Sequence, residues 1–269
     1  MNEWRMFGSY EWKKKIFSTK ATGFSPGFWL KKVVFYLIQC VAHQAITSTT
    51  NNVIAEMTRE KLTDIYNRLY GQFGPQGWWP GDTPFEIMVG AVLTQNTNWN
   101  NVERAIDNLK RAGVMSFERL SGLPVDLLAE YIRPAGYFNI KAGRLQNLFA
   151  TIGERYGGSL DAMMEETTEA LRRVLLSVKG IGPETADSVL LYAAGRPVFV
   201  VDAYTYRILL RHDLIPEDFG YDEIQQLFMD NLEQDTRLYN EFHALLVCAG
   251  KEFCKKSTPK CEGCSLKGI

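Results

Sequence analysis

The sequence predicts an all-α protein. Three observations carry this reading. From Met57 onward, apolar residues recur at helical spacing. Capping residues and glycine or proline breaks stand between these segments. No parallel-sheet pattern and no repeat at a solenoid period interrupts them.

In chain order, Leu62, Ile65, Tyr66, Leu69 and Tyr70 form one face of a first helix, which Gly74-Pro75-Gln76-Gly77 breaks. Trp78-Trp79-Pro80-Gly81-Asp82 is a loop with two adjacent indoles. Thr83 or Asp82 can cap the next helix, Pro84 suits its first turn, and Glu86 can complete a capping box. That helix, 85–94, is apolar all round apart from Glu86, which predicts a central position. Residues 98–112 make a helix with Val102, Ala105, Ile106 and Leu109 inward. Short helices are expected around 117–120 and 125–132, and a turn over 133–137. Asn139 is placed to cap a long helix through Tyr156 carrying Lys141, Arg144 and Arg155. Ser159 can cap a short helix over 160–164, and a further helix spans 168–177.

Gly180-Ile181-Gly182 is then a tight turn, with Pro183 at a first helical position where its missing N–H is no loss. Ala186, Val189, Leu190 and Ala193 give the following helix an apolar face, and Gly195 and Pro197 end it. Val198-Phe199-Val200-Val201 is a short apolar run that delivers a charged residue, Asp202, at its end. Tyr206, Leu209 and Leu210 lie on one helix, and helices over 221–232 and 236–249 close the chain before its cysteines. A helix N-terminus preceded by glycines offers N–H groups to a phosphate, and Gly180 and Gly182 have no Cβ to hinder approach. Lys179 adds a positive charge at the same point.

The order and spacing of Lys179-Gly180-Ile181-Gly182, Thr185-Ala186, Gly195-Arg196-Pro197 and Asp202 resemble the helix-hairpin-helix and Gly/Pro…Asp signature of the endonuclease III superfamily of DNA glycosylases. Further matches narrow the resemblance to the 3-methyladenine DNA glycosylase III branch. These are Trp78-Trp79-Pro80, the AVLTQNT run, Arg133–Asn139 with Lys141, and Glu184 in the hairpin. It covers about residues 57–269. It implies a two-lobed helix-hairpin-helix glycosylase fold with a C-terminal cysteine loop of the iron–sulfur type. One lobe joins 57–82 to 196–269, and the other is a helical barrel over 83–195.

The implied chemistry rests on few residues. Asp202 is the expected catalytic carboxylate, because cleaving an N-glycosidic bond develops positive charge on the sugar and an ionised carboxylate stabilises it. The plainer role for Asp202 is a helix cap, and the two roles are compatible. The bifunctional members of the superfamily carry a lysine where this chain has Glu184, and Glu cannot form an imine. A monofunctional enzyme without strong abasic-site lyase activity is therefore implied. Trp78, Trp79, Pro80 and Glu184 are the expected base pocket, since an electron-poor alkylated purine stacks well on indoles. Lys179, Gly180, Gly182 and Thr185 are the expected DNA contacts. Gln95 is expected to fill the gap left by a flipped nucleotide. The implied activity is hydrolytic excision of a damaged base, an alkylated purine, from double-stranded DNA. Two rivals stay open: an oxidised-pyrimidine glycosylase/lyase and a non-catalytic helix-hairpin-helix DNA-binding protein.

Four of the five cysteines lie in the last 22 residues, which points to a metal site and a reducing compartment rather than a disulfide framework. Cys254, Cys261 and Cys264 match three ligands of the superfamily's [4Fe–4S] loop on a lysine-rich segment. The family's fourth ligand would fall immediately beyond Ile269. The open alternatives are a truncated sequence, substitution by Cys248, zinc, or no cluster. His43, His212 and His243 have no ligand spacing and are read as structural or surface residues.

Composition bounds these expectations. Residues 1–56 carry 7 Lys/Arg and 3 Asp/Glu, leaving 23 against 28, a net −5, for 57–269. DNA binding thus requires a local basic face. The apolar run 33–38 is too short to cross a bilayer, no signal-peptide cleavage site is evident, and 47–52 (TSTTNN) reads as a linker. Residues 1–56 are expected to be a dispensable extension, and the protein to act as a monomer in the cytoplasm with the chromosome, without a membrane partner.

Overall fold

A computed structural model describes residues 56–269, and every regular element among them is helical. The expectation that 1–56 is dispensable falls on residues outside that range, apart from Glu56. The elements are α1 (56–73), α2 (Pro84–Leu93), α3 (Trp99–Arg111), α4 (Phe117–Ser121), α5 (Val125–Tyr131) and α6 (Phe138–Tyr156). Then come α7 (Leu160–Met164), α8 (Thr168–Ser177), α9 (Pro183–Ser188), α10 (Ala203–Arg211), α11 (Tyr221–Asn231) and α12 (Thr236–Glu252).

The apolar residues segregate into two clusters. The first gathers α2 to α9, from Phe85 to Val198. The second joins Leu62, Ile65 and Leu69 of α1 to Leu191, Phe199–Val201 and the helices that follow. The α2 helix is the central one expected: Phe85, Glu86 and Met88–Leu93 are all buried. Thr83 is its cap, accepting from Glu86 N at 3.1 Å. The Glu86 side chain departs from the expected capping box and pairs with Lys110 Nζ at 2.7 Å, because a buried carboxylate needs a cation more than a second cap.

One local expectation needs correction at α6. Asn139 does not cap it: Tyr137, in the left-handed region at φ 45°, is the N-cap and Phe138 is the first helical residue. Lys141 lies in the interior. It is 1% exposed, and Nζ donates to Leu93 O at 2.9 Å and Ala135 O at 2.7 Å. It thereby satisfies the Leu93 carbonyl at the C-terminal end of α2, where a cation suits the helix dipole, and ties it to the turn at Ala135. Lost hydration, and then the charge of Arg144, lower its pKa to about 8.

The α9 helix runs on through a π turn over Val189–Ala193. The extra residue of a π turn changes which way successive side chains point. Val189 and Leu190 join the first apolar cluster, whereas Leu191 and Tyr192 join the second. The two clusters meet along this segment, and again where Val198 of the first is followed by Phe199 of the second. A buried polar hub lies on the same helix. Asp187, fully buried, receives Arg172 Nε and Nη2 of α8 at 2.7 and 3.0 Å, and Tyr221 Oη and Gln225 Nε2 of α11 at 2.9 and 2.8 Å.

Candidate active-site cleft

A cleft of about 850 Å³ brings together Trp78, Trp79, Gln95, Trp99, Glu184, Thr185, Asp202, His243 and a basic edge of Arg207, Lys251, Lys255 and Lys256. Sequence distance between these residues is bridged by the two-cluster packing. The run Val198–Val201 is buried throughout and ends in Asp202, which caps α10. Its Oδ1 accepts from Tyr204 N at 2.9 Å, Thr205 N at 2.7 Å and Thr205 Oγ1 at 2.9 Å. That oxygen is committed to the helix start. Oδ2 is left toward the cleft, with His243 Nε2 at 3.7 Å and the side chain 11% exposed. The carboxylate is therefore neither sealed in the core nor turned away from the groove.

Glu184 lines the same cleft from the first turn of α9. It is exposed by surface area, yet the protein around it strips enough hydration to disfavour charge. That desolvation, and then the charge of Asp202, raise its carboxyl to about 7.

Aromatic rings form the opposite wall. Trp79 meets Trp99 at 5.1 Å, Tyr192 at 5.0 Å and Trp78 at 5.9 Å between ring centroids. Lys251 Nζ lies 5.4 Å from the Trp78 ring centre. Trp79 packs against α2 at Gly90, where an added Cβ would stand 3.4 Å from the indole, in ordinary contact. The indole nitrogens of Trp78 and Trp79 are buried with no hydrogen-bond partner among the described residues. Pro80 is exposed and is not among the lining residues, so the structure does not bring it into the pocket with the two tryptophans.

The hairpin forms one rim. Gly180 has φ +97°, and a Cβ on it would fall 2.5 Å from Arg144 Cγ, so glycine is required there. Gly182, the N-cap of α9, faces open space. Lys179 is exposed, and its carbonyl accepts from Asn147 Nδ2 at 2.9 Å. Gln95 does not project freely. Its Nε2 donates to Gly180 O at 3.2 Å and Thr185 Oγ1 at 2.9 Å, and Arg144 donates to its Oε1. Gln95 is thus latched to the hairpin.

Sequence reasoning missed two cleft residues, Trp99 and His243, and the buried Tyr192 that bonds to His243. His243 is buried among Tyr239, Phe242 and Leu246 on α12, a spacing that reads as ordinary core, and only the fold shows which atom meets Asp202. His212 ends α10 and lies outside the cleft, and His43 lies outside the described residues.

The cysteines divide. Burial raises the Cys264 thiol; a backbone hydrogen bond at Leu266 opposes the shift, and Cys254 and Cys261 add to it. Cys248 instead donates to Gln76 Oε1 at 3.1 Å. Arg211 holds the loop through Cys254 Sγ at 3.3 Å and the carbonyls of Lys255 and Lys256 at 2.8 Å. Among the described residues no group of three or more His, Cys, Asp or Glu is arranged to hold a metal ion. The donors present do not fit a four-thiolate cluster, and no step below passes through one.

Comparison with known proteins agrees with this geometry. The family model described as HhH-GPD superfamily base excision DNA repair protein matches residues 89–234. The Methanocaldococcus jannaschii protein named "Putative DNA repair glycosylase MJ1434" is 47% identical over 209 residues, which is 77% of this chain and 94% of that protein. Endonuclease III of Thermotoga maritima is 29% identical over 184 residues, 68% of this chain and 81% of its own. Among solved structures, Helicobacter pylori 3-methyladenine DNA glycosylase (MagIII) bound to 1,N6-ethenoadenine matches with TM-score 0.64 and 32% identity. That match covers 72% of this chain and 97% of the other. A non-covalent endonuclease III–DNA complex shares the fold, with TM-score 0.66 over 77% of this chain and 92% of the other at 22% identity. The chain therefore belongs to the helix-hairpin-helix/Gly-Pro-Asp superfamily of base excision DNA repair glycosylases, in which endonuclease III also stands, on the side of its 3-methyladenine DNA glycosylase III branch.

Proposed function

We propose that this protein is a monofunctional DNA glycosylase that hydrolyses the N-glycosidic bond of an alkylated purine in duplex DNA. One observation carries the reading: Asp202 turns a single uncommitted carboxylate oxygen into a cleft walled by three indoles, with a carboxyl rather than an amine at position 184. A flipped, electron-poor purine stacks on Trp78 and Trp79, which hold it by dispersion and cation–π attraction. Asp202 Oδ2 stabilises the oxocarbenium-like sugar as the bond to the base lengthens and takes the proton of the attacking water. An alkylated, cationic purine departs as a neutral base, so little acid catalysis is demanded. Glu184 favours such a cation when it is ionised.

The DNA-binding roles follow the same reading. Lys179, Gly180 and Gly182 meet the backbone at the hairpin, and Lys251, Lys255, Lys256 and Arg207 supply the local basic edge that a net −5 requires. Gln95 leaves Thr185 and Gly180 to enter the stack. Two lobes, 57–82 with 196–269 and 83–195, flank the cleft, and one monomer suffices. The two apolar clusters support that division.

A panel of duplexes, each with one lesion, incubated with the protein and then treated with alkali, tests the reading. Strand breaks at an alkylated purine that appear only after alkali are expected. Breaks without alkali, together with a covalent adduct trapped by borohydride, would replace it with the glycosylase/lyase reading.

A further inference from the structure

We propose that His243 is a positioning residue that holds the attacking water against Asp202. The inference rests on the reading of Asp202 as the active carboxylate.

Consider the three groups in line. Tyr192 is buried in the π turn, and its hydroxyl lies 2.5 Å from His243 Nδ1. It has no other acceptor, so it donates to that nitrogen; turned elsewhere, the hydrogen would be buried unbonded. With Nδ1 accepting, the ring hydrogen sits on Nε2, a tautomer fixed by the network. His243 is 6% exposed, and its Nε2 has no hydrogen-bond partner among the described residues. The acceptor it faces is Asp202 Oδ2 at 3.7 Å, beyond direct hydrogen-bond length. Asp202 Oδ1 is already occupied by two amides and a hydroxyl, so Oδ2 alone is available.

A buried donor and a carboxylate acceptor thus stand side by side, and both residues line one cleft. One water oxygen, about 2.8 Å from each, can accept from Nε2–H and donate to Oδ2. Its remaining lone pair is free for the sugar carbon. In the step itself, the water oxygen bonds to the anomeric carbon, the carbon–nitrogen bond breaks, and its electron pair leaves with the base. The water proton passes to Asp202 Oδ2 and then to solvent. His243 neither gains nor loses a proton. Burial lowers its pKa ahead of the opposing pull of Asp202, and Lys251 lowers it further, so the neutral ring is the working form.

The test uses the lesion duplex that the parental chain excises best in the panel above, under single-turnover conditions. Binding to a duplex with a cationic pyrrolidine in place of the lesion sugar is measured alongside. His243→Leu is expected to slow excision about 10²-fold while leaving pyrrolidine binding unchanged. His243→Gln, whose amide N–H can replace Nε2–H, is expected to recover most of the rate. Parental excision by His243→Leu overturns the proposal. So does a matching loss of pyrrolidine binding, because His243 would then shape the carboxylate and not the water. If His243→Leu does not fold, Tyr192→Phe decides: it releases the tautomer, so slower excision with intact pyrrolidine binding is expected, and a parental rate overturns the proposal. Asp202→Asn separates the two readings. Its parental activity would sink the catalytic reading of the cleft, whereas an inactive Asp202→Asn beside a fully active His243→Leu would sink only this inference.

Discussion

At the scale of single residues, the cleft is a contrast between two carboxyls. Asp202 has one oxygen bonded into the α10 cap and one facing the site. Asp202→Asn keeps the capping oxygen, so the thermal midpoint should stay close to the parental value while excision falls at least 10³-fold; single-turnover assays and a melting curve check both halves. Glu184 works in the opposite sense, as a group held partly neutral. Its folded carboxyl titrates at about 7, above the ordinary 4.5. The folded chain therefore keeps a proton between those values that the unfolded chain loses. The stability contribution of this residue is greatest at low pH and declines as pH rises through that window. Glu184→Gln should remove the slope, so that the variant gains on the parent in melting temperature at pH 8 but not at pH 4. Affinity for a cationic lesion should rise with pH through about 7 in the parent and stay flat in Glu184→Gln. Of these groups, Asp202 was legible because four apolar residues lead straight to it and the hairpin lies at a set distance. His243 was not, since its neighbours at helical spacing make it look like core. Pro80 misled by adjacency: next in sequence to two cleft residues, it turns to solvent.

Elements were readable where caps and breaks act locally. Thr83, Asn98, Ser159 and Thr167 each accept from the amide three residues on, at the helix starts. The start of α6 escaped because a left-handed Tyr137, not a polar side chain, makes the turn. The hairpin was legible as a turn, but its tie to Gln95 and Arg144 depends on α6 crossing behind it. Gly180→Ala should cost roughly 1–3 kcal/mol from the positive φ alone. It should also displace Arg144, and with it Gln95, so duplex affinity measured by titration should fall more than stability does. Contacts from the protein itself hold the cysteine loop. Arg207 donates to Cys254 O at 2.7 Å, Arg211 holds the next two carbonyls, and Leu266 is buried in the second apolar cluster. Treatment with an iron chelator under reducing conditions should therefore leave the helical circular dichroism and its melting unchanged.

At the scale of the whole molecule, the described residues form two apolar clusters joined along α9, and no local pattern announces that division. The π turn sends adjacent residues to different clusters, which a simple helical wheel cannot express. Asp187 was equally hidden: a charged residue in the hairpin helix reads as solvated until Arg172, Tyr221 and Gln225 close on it. Removing one partner of a buried ion pair strands the other, so Asp187→Ala should lower stability by about 3–5 kcal/mol. Denaturant unfolding would show it, along with lost excision as α8 and α11 loosen around α9. One last consequence comes from the crowded indoles. The six tryptophans of the chain divide evenly, three in residues 1–56 and three, Trp78, Trp79 and Trp99, in the cleft wall. In a chain starting at Met57, all indole emission would come from this wall. If the wall holds the flipped base as proposed, an arriving aromatic ring would dim that light, and the shortened chain would carry a label-free optical gauge of occupancy.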